Sequence, residues 1–444
     1  MFTIIIAVYN GASTIKQTID DLIHQFDVPW LPIEIIVVDD GSTDDTARIL
    51  SNYQNHKHVK LLHQANQGVS AARNLGLQHV NPTSEYIIFV DDSDRLSPHF
   101  LQQSIQFFIE HEAVNIAVAP IVIEEQGRQR ASMLNHKFEQ RDDVIDITSQ
   151  PHAVQFHIGG VVFRRCIFDI GYRFDADLSY WEDALLINQV FIEEGQYGLI
   201  RNAFYYYDRN NPQSLSRECW ASADRYIKHI ENNYFELIEQ SEKYHGCVLP
   251  YVQYLIALHY LEYLLEHNQS KLNKHCVMED PHFIEISEIL FRFISVSIIQ
   301  QLNCPNRYKA FLYELKSLPF PYQTHYQCIQ LLIQYIKLKQ RQICFSFSDE
   351  SYGIPIDAKV LIASKTHPTT AQLCRMKRVS MCGVEIEDFS LNLYAAKLSW
   401  IQLMFGFEAE IHHETAHQVI TVKSPSILAR GIRRVTKKFK GVNS

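Results

Sequence analysis

Hydrophobic and polar positions change period along the chain, and that change is the first guide to its elements. Thr3–Val8, Ile33–Val38, Val59–Leu62 and Tyr86–Val90 are short, continuous runs of apolar, largely β-branched residues. Such runs predict strands buried on both faces of a parallel sheet. Between them the apolar residues recur every three or four positions. Ile15, Ile19, Leu22, Ile23 and Phe26 make one helical face within Ser13–Phe26, and Ala71, Ala72 and Leu77 lie in another helix opened by Gln67-Gly68-Val69-Ser70. Alternation of strand and helix at this spacing predicts an α/β fold with a doubly wound, mostly parallel sheet, whose ligands lie at the carboxyl ends of the strands. Asn115–Ile123 reads as a further strand, Arg128–Asp143 as a polar loop, and Leu178–Phe191 as a helix with Ala184, Leu185, Ile187, Val190 and Phe191 on its apolar face.

After about residue 222 the pattern becomes helical. Tyr251–Leu265, Phe283–Ile299 and Tyr326–Leu338 read as long apolar helices, and a bundle packed on the first domain is the simplest expectation. Short strands are expected again at Ile343–Phe347, Lys359–Ile362, Val379–Ile386, Glu408–Ile411 and Val419–Val422. The domains expected are therefore 1–222, a helical 223–342, a small mixed or β-rich 343–424, and a C-terminal helix 425–444. In that last segment Leu428, Ile432, Val435 and Phe439 share one helical face, and Arg430, Arg433, Arg434, Lys437, Lys438 and Lys440 supply six cations with no acid. A basic amphipathic helix of this kind binds an anionic membrane surface; the competing reading is a solvated tail or a helix docked on the protein.

Composition narrows the classes. At 444 residues, 46% of them hydrophobic, the chain is a folded multidomain protein. A net charge of −9 argues against nucleic acid as a partner. Nine cysteines, an odd number without a Cys-x-x-Cys pair, read as reduced thiols of a cytosolic protein. The opening MFTIIIAVYN has no basic region before a cleavable apolar stretch, so no secretory signal is expected. Tyr251–Leu265 is interrupted by Gln253, His259 and Glu262 and reads as a core helix rather than a membrane span; Tyr251, Tyr254, Tyr260 and Tyr263 in and around it read as core more readily than as a sugar platform. His412, His413 and His417 lie close in sequence but lack a complete ligand set, and a hairpin turn is the simpler reading.

The chemistry is concentrated at the strand ends. Tyr86–Val90 is followed by Asp91, Asp92 and Asp94, with Ser93 among them. Crowded carboxylates repel, and a hard divalent ion that also holds substrate phosphates relieves that repulsion. Ile33–Val38 ends in Asp39-Asp40-Gly41-Ser42-Thr43-Asp44, where a carboxylate accepts hydrogen bonds from a base or ribose or, alternatively, caps the turn. Tyr9 follows the first strand. Arg73 lies one turn into the helix after Gly68, where a guanidinium and a helix N-terminus suit a pyrophosphate; a surface salt bridge is the alternative.

TIIIAVYNG, IIVVDDGSTDDT, NQGVSAARNLGL and FVDDSDRLSP, in this order, resemble the nucleotide-binding half of the inverting family 2 glycosyltransferases of the GT-A fold. The resemblance ends near residue 220. It implies a nucleotide-diphosphate-sugar donor, UDP-linked by preference, a hydroxyl acceptor on a surface glycan or lipid-linked glycan, and Mn²⁺ or Mg²⁺ as cofactor. It implies that Asp40 receives a base N–H beside Tyr9 and Asp39, and that Asp91 and Asp92 join Arg73 around the nucleotide. Relatives often read Asp-x-Asp-Asp where this chain has Asp91-Asp92-Ser93-Asp94, so serine stands at the usual ligand position; Asp92 and Asp94 are the expected ligands, with Asp91 orienting the loop. Trp181-Glu182-Asp183 matches the base motif. Asp183 is the expected general base, and Glu182 and Trp181 the expected acceptor contacts, the indole by stacking on a sugar. Gly159 and Gly160 let backbone approach the donor or, equally, form a bulge, and Arg209 and Ser214 are candidates near the diphosphate. The expected place of work is the inner face of the cytoplasmic membrane, with a homo-oligomer left open. Two rivals remain: a phosphohydrolase, which needs an Asp-x-Asp-x-Thr pattern absent from AVYNG, and a catalytically inactive carbohydrate-binding scaffold, for which Ser93 speaks and intact Asp183 and Arg73 speak against.

Overall fold

The computed structural model describes residues 1–27, 32–210, 218–320, 331–347, 358–363, 368–413 and 418–423. They form two compact units, one of residues 1–259 with 271–276 and one comprising 260–270 and the residues from 277 onward.

The first unit is built on an eight-stranded sheet of order β3-β2-β1-β4-β10-β6-β11-β9. Its strands are β1 (Phe2–Val8), β2 (Ile33–Asp39), β3 (Val59–His63), β4 (Tyr86–Phe89), β6 (Ile116–Val118), β9 (Val144–Asp146), β10 (Val161–Arg164) and β11 (Gln196–Leu199). β1 runs parallel to β2 and β4, and β2 to β3, so all four carboxyl ends open on one edge. β10 is antiparallel to β4 and β6, which makes the sheet mixed beyond β4. Helices α1 (Ile15–Ile23), α2 (Thr46–Leu50) and α3 (Val69–Gln78) are the crossovers. Ile4, Ile5 and Ile6 are all fully buried, which requires both faces of β1 to be covered. Burying such a side chain is worth about 1.5–3 kcal/mol each. Gly76 of α3 packs directly on Ile5, where an added Cβ would sit 2.5 Å from its Cγ2.

A smaller four-stranded sheet has the order β5-β12-β7-β8 and contains β5 (Arg95–Leu96), β7 (Ile121–Glu125), β8 (Arg128–Ala131) and β12 (Tyr205–Asp208). The strand expected over Asn115–Ile123 is therefore two strands, β6 and β7, in different sheets, and the expected loop at Arg128 begins as β8. Helices α4 (Phe100–Glu110), α5 (Cys166–Asp169) and α6 (Glu182–Glu194) complete the unit, with helices Phe235–His245 and the start of Pro250–Leu264. Tyr251 is fully buried and donates its hydroxyl to Asn188 Oδ1 at 2.7 Å, a core role.

In the second unit the expected helix Phe283–Ile299 is two helices, Pro281–Arg292 and Val296–Gln301. Asp280 caps the first by accepting from His282 N–H, and Pro281 stands at N1. Tyr260 and Tyr263 are buried core residues there. The expected helix Tyr326–Leu338 is not one: Leu331–Lys337 is strand β13, and residues 326–330 lie outside those described. β13 pairs antiparallel with β14 (Gln342–Phe347), whose ladder supplies what an isolated apolar run does not reveal. β14 pairs with β20 (Leu393–Lys397), which pairs with β17 (Gln372–Arg375). The second sheet of this region has the order β16-β15-β21-β22, formed by Thr369–Thr370, Lys359–Ile362, Glu408–His413 and Gln418–Lys423; β18 (Arg378–Met381) and β19 (Val384–Ser390) form a separate pair. Phe345, Val360, Ile362, Tyr394, Ala409 and Ile411 share one apolar core between the two four-stranded sheets. His412 bonds Glu410 at 3.1 Å on β21, whereas His417 lies outside the described residues. The expected amphipathic helix at 425–444, with its basic face at 426–440, also lies outside them.

Candidate active site

Both acidic turns and Tyr9 emerge at the carboxyl edge of β1, β2 and β4. Asn10, in the left-handed region at φ 54°, locks the first two together. Its Oδ1 accepts from Thr43 N–H at 2.8 Å, and its own N–H donates to Ser42 Oγ at 2.9 Å. Tyr9 is thereby held 49% exposed, a ring available for stacking.

Asp39 and Asp40 are both buried at 3% exposure. Asp39 Oδ1 accepts from Ser42 N–H at 2.9 Å, which is the turn-capping alternative, and its Oδ2 lies 3.3 Å from His63 Nδ1. Asp40 Oδ1 accepts from Gln64 Nε2 (2.7 Å) and Gln67 N–H (2.9 Å), and Oδ2 from Gly68 N–H (2.8 Å). This carboxylate thus ties β2 to the loop that opens α3. Gly41, at φ 74°, is required because a Cβ would sit 2.7 Å from Asn66 N.

Arg73 does not stand free at the head of α3. It is buried, at 5% exposure, and joins two acidic groups from distant parts of the chain. Nη2 donates to Asp91 Oδ1 at 2.8 Å and Nη1 to Glu182 Oε1 at 2.9 Å, while the guanidinium lies over the Phe174 ring. Burial opposes its charge, and Asp91 and Glu182 more than offset that, so its pKa is raised. The surface salt bridge weighed from sequence is instead a bridge through the buried Arg73 guanidinium between the acidic turn and the N-terminal end of α6.

The three carboxylates after β4 face different ways. Asp91 reaches Arg73 and is about a third exposed. Asp92 is pressed against the first turn: a Cβ at Gly11 would lie 2.2 Å from its Oδ2, so a side chain there would displace the carboxylate. Burial first, and then the charge of Asp91, push the Asp92 carboxyl up to about 7. Asp94, expected beside Asp92 as a metal ligand, turns inward. It is 1% exposed, its Oδ2 accepts from the Tyr205 hydroxyl at 2.6 Å, and its Oδ1 accepts from Asp208 N–H at 2.8 Å. It fastens β5 to β12, and both of its oxygens are engaged within the fold.

A divalent ion nevertheless fits this turn. Asp92 is a half-buried carboxylate whose charge is opposed by desolvation and by Asp91, and Asp91 keeps one oxygen clear of Arg73, so a cation between them would relieve that opposition. Among the described residues no three His, Cys, Asp or Glu side chains converge on one point; a hard cation held by one or two carboxylates plus substrate phosphates needs no such cage.

At the start of α6, Asp183 Oδ2 accepts from Ile158 N–H at 3.1 Å and Oδ1 from Ala184 N–H at 2.7 Å. Burial raises the pKa of both Asp183 and Glu182, and Arg73 pulls each back down. Trp181 is not the platform expected of it. It is 4% exposed, with its ring stacked on His259 at 4.6 Å and 15°, so the face a sugar would use is covered. Its backbone, in the left-handed region at φ 65°, starts α6.

Gly159 serves close packing: a Cβ would lie 2.4 Å from the Tyr205 ring. Gly160 is at φ 80°. His157 and Tyr205 escaped notice in the sequence. His157 Nδ1 accepts from Gly159 N–H at 2.9 Å, and its ring lies edge-on to Tyr205 and Tyr207. The one local signal was a histidine two residues before a glycine pair. Arg209 N–H bonds Glu124 O in the small sheet, and Ser214 lies outside the described residues. A separate cavity of about 610 Å³, lined by Asp21, His24, Arg95, His99, Gln102 and Tyr206 among others, contains none of the expected site residues.

Residues 3–177 match the sequence model of glycosyl transferase family 2. The chain is 32% identical to the minor teichoic acid biosynthesis protein GgaA of Bacillus subtilis (strain 168), over 71% of each protein. It belongs to glycosyl transferase family 2. A second relative in the same organism, the minor teichoic acid biosynthesis protein GgaB, is 27% identical over 60% of this chain but only 29% of its own length. Among solved structures, residues 1–349 of Staphylococcus aureus TarS in complex with UDP-GlcNAc superpose with a TM-score of 0.53 at 15% identity, covering 71% of this chain and 87% of that one. The TarS structure not restricted to those residues gives the same TM-score over 95% of this chain and 77% of its own. The first unit is therefore of the GT-A fold, and this member of the family is a glycosyltransferase. No helix among the described residues is long and apolar enough to cross a membrane.

Proposed function

We propose that this glycosyltransferase moves a sugar from a UDP-linked donor to a hydroxyl of an anionic surface glycan of the teichoic-acid kind, with inversion, by a single displacement in which Asp183 is the base. The observation that carries the mechanism is the bridge Asp91–Arg73–Glu182, centred on a buried guanidinium, which couples the acidic turn to the residue before Asp183. The relatives GgaA and GgaB support the acceptor class, and the UDP-GlcNAc complex of TarS supports the donor class.

The chain's own residues divide the work. Tyr9 offers its exposed ring to the base, and the Asp39–Asp44 turn and the Gln64–Gly68 loop frame the nucleotide pocket. Asp91 and Asp92 would hold Mn²⁺ or Mg²⁺, which neutralises the charge that develops on the departing diphosphate. Asp183 takes the proton from the acceptor hydroxyl as that oxygen bonds to the anomeric carbon and the bond from that carbon to the diphosphate oxygen breaks. The two N–H groups donated to Asp183 fix its orientation. Arg73 favours the ionised form of the Glu182–Asp183 pair against the burial that raises both carboxyls. Glu182 stays in contact with Arg73, and the acceptor sugar needs a platform other than Trp181. Work at the inner face of the cytoplasmic membrane, with contact through the basic segment 426–440, suits a lipid-linked or membrane-tethered acceptor.

The test is release of nucleotide from UDP-, GDP- and CMP-sugars by the wild-type chain and by Asp183→Asn, with and without chelator. Release from the UDP-sugars that is lost on chelation and falls about 10²–10⁴-fold in the variant is the expected result. Unchanged turnover in Asp183→Asn would remove the assigned base, and release from GDP- or CMP-sugars alone would remove the assigned donor.

A further inference from the structure

One end of the β-rich region in the second unit is both apolar and cationic. The tip joining β13 to β14 carries Leu338, 55% exposed, between exposed Lys337 and Lys339, with exposed Arg341 completing the turn. Tyr335, further along β13, is 47% exposed, with the Lys337 ammonium near its ring. Arg341 O accepts from Leu398 N–H at 2.8 Å, which places the start of the helix Trp400–Phe405 beside this tip. Ser399 and Gln402 close a capping box at the head of that helix, and Leu403 alone of its apolar side chains is buried in the core between the sheets. Trp400, Ile401, Met404 and Phe405 are left 55%, 72%, 46% and 68% exposed. Lys397 stands exposed just before them. Neither 331–347 nor 393–407 contains a single Asp or Glu.

A short helix anchored by one leucine and presenting four large apolar side chains is costly in water, and contiguous exposed patches of this kind mark interaction surfaces. The composition selects the partner. Tryptophan and phenylalanine beside aliphatic tips, with Lys397 before them and the lysines and arginine of the neighbouring tip, and with Glu408 the first acid after the helix, fit the boundary between anionic headgroups and acyl chains. A soluble polyanion would engage the cations but give Ile401, Met404 and Phe405 nothing to bury against. The tip also borders a shallow concavity of about 310 Å³ lined by Ile336, Lys337, Leu338, Lys339 and Gln340, whose ammonium groups are the donors a lipid phosphate takes. We propose that this end of the second unit, Tyr335–Arg341 with Lys397–Phe405, docks on an anionic lipid bilayer, independently of the basic segment at 426–440.

The test is flotation of the full chain with vesicles of phosphatidylcholine alone or mixed with phosphatidylglycerol, at low and high salt. Trp400→Ser/Phe405→Ser and Lys337→Glu/Lys339→Glu/Arg341→Glu, both altered only at exposed positions and both keeping 426–440 intact, are compared with wild type. The wild-type chain is expected to float with the phosphatidylglycerol vesicles and to be released by salt. The apolar double variant should lose about tenfold in partitioning and the charge-reversed variant about 100-fold or more. Nucleotide release from UDP-sugars in solution should be unchanged in both, so failure of this surface is read separately from failure of the assigned chemistry. Equal flotation with neutral vesicles, or unaltered partitioning in both variants, would overturn the proposal. So would self-association in sedimentation velocity that these same substitutions abolish, since the occupant would then be a second copy of this chain.

Discussion

The strands on either side of β1 end in near-identical acidic sequences, Asp39-Asp40-Gly41-Ser42 after β2 and Asp91-Asp92-Ser93-Asp94 after β4, yet the two turns are chemically opposite. Asp40 receives three N–H donors, two of them backbone, and Asp39 receives another. Their charge is spread over the loop they organise. After β4 the only cationic partner among the described residues is Arg73, and it is shared with Glu182. Asp92 is left with burial and a like charge against it. The carboxylates satisfied by N–H groups make the Asp39–Asp40 turn a scaffold, whereas the opposed pair Asp91 and Asp92 is proposed to hold a cation. The difference lies in what faces each turn, not in its residues.

The contrast can be broken directly. Asp92→Asn should lower metal-dependent nucleotide release by about 10²–10³-fold, several kcal/mol of lost leaving-group stabilisation, with the thermal midpoint unchanged or raised because a charge opposed by desolvation and by Asp91 is gone. Loss of stability in place of loss of activity would make this turn a scaffold as well.

Arg73→Gln sharpens the comparison through pH. The base works only when ionised, so kcat/KM rises with pH through the raised pKa of the Glu182–Asp183 pair. Arg73 lowers both members, and removing it moves the acid limb of the profile to higher pH. A steady-state profile whose limb stays in place would show that Arg73 acts only on the nucleotide. The variant also leaves Asp91 and Glu182 without their cation, a cost on the order of 2–4 kcal/mol in chemical denaturation, given that Asp91 is partly solvated.

Asp40→Asn is expected to behave in the opposite way to Asp92→Asn. It leaves metal dependence intact but replaces an acceptor of three N–H groups by an amide, at about 1–3 kcal/mol in denaturation. The smallest effect belongs to Tyr9→Ala, about tenfold in the KM for the donor with kcat little changed, the value of one aromatic face against a base.

Much of this architecture was legible in the chain. Strands buried on both faces must be continuous apolar runs, so β1 to β4 and the acidic ends of β2 and β4 could be located without coordinates. The pairing of side chains across long sequence separations could not. Asp94 looks like a ligand until Tyr205, 111 residues later, is seen to donate to it. Arg73 and Glu182 are 109 residues apart, and nothing local joins them. Trp181 carries the composition of a sugar platform, but His259 covers its face. The run LLIQYIK at β13 suits a helix and a strand about equally, and only its ladder with β14 decides.

The most direct test of the contrast between the turns is a titration with Mn²⁺ in the presence of UDP, followed by the loss of the free-ion electron paramagnetic resonance signal, on wild type, Asp40→Asn and Asp92→Asn. The account predicts saturable binding in wild type and Asp40→Asn and a loss of at least about tenfold in affinity in Asp92→Asn, the scale on which groups at a metal site act. Equal affinity in all three proteins, or a loss in Asp40→Asn that matches the loss in Asp92→Asn, would contradict it.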